Sequence, residues 1–188
     1  MNNPLGYYCF HCNTLVKKSN GTEIKVVELK QGDVILTKDD MKICPTMVTN
    51  ATIIEGSFDG LKLYLEDGKT ITVTPPHLML INKDGAMYPA QAKDVQVHDI
   101  MPLEDGKLSK IIDIQDVNLT TKVNIETAAG TLFANGIFVT GMCENSPSLE
   151  EKNAMDIIME YQSTHMVTVQ LQRKFDWIIV LRNYYYPL

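Results

Sequence analysis

The stretches "VVELKQGDVILT", residues 26–37, and "AKDVQVHDIMPL", residues 92–103, line up without a gap. Glu28 falls on Asp94, Leu29 on Val95, Asp33 on Asp99 and Val34 on Ile100. Further along each copy, "KLYLEDGKTITVT" (62–74) and "KVNIETAAGTLFA" (122–134) repeat a strand, a turn and a strand. Two matches in the same order predict a duplicated β unit with a pseudo-twofold axis.

From Thr14 to Val139, across both copies, the apolar pattern is short and of period near two, as in "NATIIEG", "HLMLI", "DIMPL", "KIIDIQDV" and "GIFVT". Turn signals such as "NG", "QGD", "FDG", "EDG", "KDG" and "ANG" punctuate these β-branched runs. No helical period longer than two turns interrupts them, so the expected class is all-β rather than βαβ. After Cys143 the pattern changes. Ser148 and Glu151 form a capping box, and Met155, Ile158 and Met159 follow at helical spacing, predicting a helix over about 149–161. "MVTVQLQ" and "FDWIIVL" then read as strands, which makes 144–188 a short α/β extension.

The 188 residues carry a net charge of −6 and scattered Lys and Arg, which argues against a nucleic-acid partner. The first eight residues lack the pattern of a signal peptide, and no run approaches eighteen apolar residues, so no transmembrane segment is expected. The four cysteines, at 9, 12, 44 and 143, are too few and too irregular for a disulfide framework. Cys9 leaves four readings open: a small buried residue, half of a Cys9–Cys12 redox pair, a metal knuckle, or a nucleophile facing its own backbone. A zinc site needs a second ligand pair, and Cys44 and Cys143 are isolated, so no metal and no cofactor is expected.

Three strings in this order resemble the Hint superfamily, the self-processing domains of inteins and of the Hedgehog C-terminal half. "CFHCNTLV" (9–16) is similar to its opening block, a Cys followed five residues later by Thr. "TPPH" (74–77), straight after the strand "TITV", resembles its T-x-x-H block, and "VNIETAAGTLFANGIFVTGMC" (123–143) its closing block. The resemblance implies a horseshoe-like fold of two pseudo-twofold-related β subdomains spanning 9–143, preceded by a segment, 1–8, that is released or transferred.

It also implies roles. Cys9 would attack the Tyr8 carbonyl through a five-membered ring, making a thioester of the 1–8 segment, with proximity supplying much of the rate. His77, with histidine's ordinary titration near neutrality, suits the acid that protonates the departing nitrogen. Thr74 would orient the scissile amide. His11, His98 and His165 read as surface or core residues, and His98 takes the turn position of Gly32 in the repeat.

At the end of the closing block, inteins carry His-Asn, whereas Thr140 and Gly141 stand here. Glycine has no side chain to cyclise, so splicing is not expected, and the chain resembles a Hedgehog-type or bacterial intein-like domain more than a splicing intein. A Hedgehog domain has a Ser-Cys near this point, to which Thr140 and Cys143 are similar at a two-residue offset. Its sterol-activating carboxylate would fall near Glu55 and Asp59, where Glu55 reads either as a carboxylate base or as a solvated turn residue. The expected activity is single-turnover cysteine autoprocessing on the chain's own N-terminal segment, with a sterol, a small thiol or water as acceptor. The alternative is a Hint module that no longer reacts and serves as a structural or interaction domain.

Overall fold

A computed structural model describes residues 8–39 and 42–141. The helix expected over 149–161, the two strands after it, Cys143 and residues 1–7 lie outside the described residues. Twelve strands form one antiparallel network there: β1 (Cys9–His11), β2 (Leu15–Lys17), β3 (Glu23–Lys25), β4 (Val34–Asp39), β5 (Lys42–Leu65), β6 (Thr70–Val73), β7 (Leu78–Lys83), β8 (Ala86–Gln91), β9 (Ile100–Pro102), β10 (Leu108–Thr127), β11 (Thr131–Ala134) and β12 (Ile137–Thr140). Two single turns of 3-10 helix, Val26–Glu28 and Ala92–Asp94, are the other regular elements among these residues. The class is all-β, as the period-two pattern predicts.

The duplication is visible bond by bond. Lys30 N–H donates to Asp33 Oδ2 at 2.9 Å, and Gln96 N–H donates to Asp99 Oδ2 at 2.9 Å. Val48 N–H reaches Asp33 O at 2.8 Å, and Ile111 N–H reaches Asp99 O at 2.9 Å. The turn between them needs a positive φ in both copies, +92° at Gly32 and +82° at His98. Glycine adopts this freely and histidine only at a cost. His98 is therefore a turn residue, as its alignment on Gly32 implies.

The long strands β5 and β10 occupy equivalent places in the two copies and pair with each other. Leu65 is in register with Ile111 at one end of the ribbon, and Val48 with Thr127 at the other. Because Val48 and Ile111 are equivalent, the pseudo-twofold axis passes through the ribbon. β5 starts as the partner of β4 and ends as the partner of β6, so each long strand serves both halves. A single buried cluster spans them, including Phe10, Ile35, Leu63, Ile71, Met79, Met101 and Ile125.

One expected turn is absent. "FDG" (58–60) lies inside β5, where Gly60 pairs with Val117 and a Cβ at Gly60 would come within 2.8 Å of the Leu119 side chain. The glycine there allows a close side-chain approach rather than a reversal. Three steps from Glu55 to Phe58 on β5 oppose two from Leu119 to Thr121 on β10, the count of a β-bulge.

Candidate functional site

β1 threads between β6 and β10, which places Cys9 in the middle of a sheet rather than at a loose end. Cys9 and Phe10 are fully buried, and Tyr8 is almost so. Strand alternation sends Phe10 into the core, where its ring centroid lies 4.4 Å from that of His77. Tyr8 meets the same imidazole edge-on at 6.4 Å.

The segment after β6 closes on this strand. Cys9 N–H donates to Thr74 Oγ1 at 3.0 Å, and Thr74 N–H donates to Cys9 O at 3.0 Å. Thr74 thus grips the nitrogen of the Tyr8–Cys9 peptide bond with its side chain and the next carbonyl with its main chain. A tight turn, His77 N–H to Thr74 O at 3.0 Å, then brings the imidazole back over Tyr8 and Phe10. Cys9, Thr74 and His77, far apart in sequence, form one buried cluster at the Tyr8–Cys9 bond.

This turn is the second copy of another. Thr14 N–H bonds His11 O at 2.9 Å and Val26 N–H bonds Thr14 O at 2.8 Å; in the other half His77 N–H bonds Thr74 O, and Ala92 N–H bonds His77 O at 2.8 Å. Thr14 and His77 are therefore equivalent positions, and the duplication carries different chemistry at the two sites.

The expectation of a His77 titrating near neutrality is corrected. Complete burial drives its pKa down from 6.5 to about 3, while the main chain of Tyr8 and of Thr140 pulls weakly the other way. Neither ring nitrogen meets a partner in full hydrogen-bond geometry. The ring rests neutral, with about one molecule in 10⁴ protonated at pH 7. Because the native state refuses a proton that the unfolded chain accepts, this contribution to stability is complete above pH 6.5 and is lost as pH falls towards 3. The span of 3.5 units corresponds to at most about 5 kcal/mol. Urea unfolding of the parent chain should weaken steadily from pH 6.5 to 4, and His77→Gln should flatten that slope; equal slopes would place the titration elsewhere.

The remaining candidates separate. Thr140 is buried, donates its hydroxyl to Leu78 O at 2.7 Å, and turns its main chain to His77. Gly141 follows at once, and a Cβ there would overlap the Leu132 side chain. Glu55 lies exposed within β5 opposite Thr121, so the turn reading of it is corrected. It sits three residues from Thr52, the position in register with Asn124 and hence with Cys9, about 10 Å along the strand. Cys9 and Cys12 are both thiols, and no cluster of three or more His, Cys, Asp or Glu able to hold a metal occurs among the described residues.

Sequence reasoning missed Asn124. It is buried and faces Cys9 directly across the β1–β10 pair, 115 positions away in the chain, and a register that only the folded sheet defines brings the two together.

The fold has counterparts among solved structures. The gp41-1 intein matches with a TM-score of 0.62 at 20% identity, covering 72% of this chain and 98% of the intein. The DnaB intein from Synechocystis sp. PCC 6803 matches at 0.62 and 17% identity, over 72% and 99%. The fold is the intein, or Hint, fold. The bacterial intein-like domain from Clostridium thermocellum, at 0.61 and 17% identity over 70% and 97%, is similar to the same part of the chain. No family model and no curated protein matches the sequence. Among the described residues no helix is long and apolar enough to cross a membrane.

Proposed function

We propose that this Hint-fold chain is a single-turnover self-processing domain that converts the Tyr8–Cys9 peptide bond into a thioester and passes the acyl segment to an external nucleophile. The observation that carries the reading is the hydrogen bond from Cys9 N–H to Thr74 Oγ1, because it holds the nitrogen that must leave. In the step, the Cys9 sulfur bonds to the Tyr8 carbonyl carbon, the carbon–nitrogen bond breaks, and the thiol proton ends on the Cys9 nitrogen. His77 is suited to carry that proton. Being neutral, it takes a proton before it gives one, so the ring acts as a shuttle rather than as a resident acid. Thr74 keeps the departing amine aligned with its hydroxyl. An acceptor nucleophile then displaces the Cys9 thiolate, leaving a chain that begins at Cys9.

Splicing has no support here, since Gly141 offers no side chain to cyclise. The test is the mass of the products after incubation with dithiothreitol. Loss of residues 1–8 with no cut after Gly141 is expected. Release at Met142 or Cys143, or an excised and ligated product, would return the chain to the splicing class. Persistent full-length mass would favour the rival reading, a Hint module without activity.

A further inference from the structure

An open cleft of about 320 Å³ lies beside the nucleophile, lined by His11, Lys62, Thr70, Thr72 and Asn118 among others. Its position is set by alternation. His11 is the next residue after Cys9 on the same face of β1, so the cleft begins about 7 Å from Cys9, and Thr72 lies on β6 two residues before Thr74. Lys62 stands opposite Thr72 on β5.

Its chemistry is distinctive. Among the lining residues Lys62 brings a positive charge and none a negative one, in a protein of net charge −6, while His11 Nδ1 accepts from Asn13 N–H at 3.2 Å. Lys62 has no ion-pair partner among the described residues; its ammonium rests 4.8 Å from the centre of the Tyr64 ring. The hydroxyls of Thr70 and Thr72 form no hydrogen bond among those residues either, although Asn135 and Asn118 beside them are already engaged with Thr70 O and Ser57. Val117 and Leu119 are its apolar walls. A sterol here would bury most of these polar groups without partners, which is costly.

Resting on the self-processing reading above, we infer that this cleft holds the acyl acceptor, and that the acceptor is a small thiol carrying an anionic group. The acyl shift itself makes the cleft relevant. Before it, the Tyr8 carbonyl belongs to the main chain under His77; after it, the acyl carbon is bonded to Sγ and moves to the face of β1 that carries His11. The acceptor thiolate bonds to that carbon, the carbon–Sγ bond breaks, and Cys9 leaves as a thiolate that takes a proton from water. Lys62 holds the anionic group meanwhile.

Two measurements test this. Cleavage is timed with 2-mercaptoethanesulfonate, 2-mercaptoethanol and cysteamine at equal thiolate concentration. The anionic thiol should exceed the cationic one by tenfold or more, and Lys62→Gln should bring that ratio below about threefold. Separately, ethanesulfonate is titrated into the Cys9→Ala chain, which cannot react. Saturable NMR shifts at Thr70, Thr72 and Asn118 are expected, and Lys62→Gln should remove them. Equal rates for the three thiols, a cationic preference, or an absence of saturable shifts would overturn the inference. Saturable binding with no cleavage by any thiol would keep the cleft as an anion site and sink the self-processing reading instead.

Discussion

Replacing Cys9 by Ala is expected to leave the chain at full length under every condition that removes residues 1–8 from the parent. The Cys9 sulfur is the side-chain atom that reaches the Tyr8 carbonyl carbon by closing a five-membered ring, and intramolecular attack of this kind is worth effective molarities of about 10⁵–10⁸ M. No neighbouring group replaces it. Thr74 Oγ1 is committed to the Cys9 N–H, and Cys12 lies three positions further on, beyond the end of β1 in the turn that follows it. The substitution removes one buried sulfur, so circular dichroism and urea unfolding should stay close to the parent. Cleavage at Tyr8–Cys9 that survives in the variant would remove Cys9 from the mechanism.

Replacing His77 by Gln should slow thioester formation by about 10²–10⁴, the usual worth of a positioned proton-transfer group. Gln is preferred to Ala for the test because the imidazole packs against Phe10 at 4.4 Å and fills the core beneath Tyr8, where truncation would open a cavity. The pH profile separates the roles. A ring that shuttles a proton from a neutral resting state gives a parent rate without a histidine titration near pH 6.5, since its own pKa lies near 3. A rate within a few-fold of the parent in His77→Gln would show that the nitrogen is protonated by another group.

Much of the architecture was legible in the sequence because duplication writes the same local physics twice. The Lys30–Asp33 and Gln96–Asp99 turns form for the same reason: an aspartate caps the amide three residues back, and a residue of positive φ sits just before it. The cluster itself was legible as motif, since Thr74 and His77 flank one tight turn and Cys9 heads the first block. What could not be read was set by long-range contact. Nothing local to "SFDGL" says that β10 runs alongside it and turns a nominal reversal into a bulged strand. Nor does "TPPH" reveal that Phe10, Tyr8 and the main chain at Thr140 surround the imidazole, or that its burial pushes its pKa down. Asn124 and the cleft along β1 and β6 likewise exist only once the strands are in register.

The most direct measurement is the reaction of the unmodified chain with neutral hydroxylamine, which cleaves thioesters and spares amides, followed by mass spectrometry of both products. The account predicts residues 1–8 ending in a Tyr8 hydroxamate and a partner fragment with a free amino-terminal Cys9. A chain that retains its full mass under these conditions would contradict the thioester at Tyr8–Cys9.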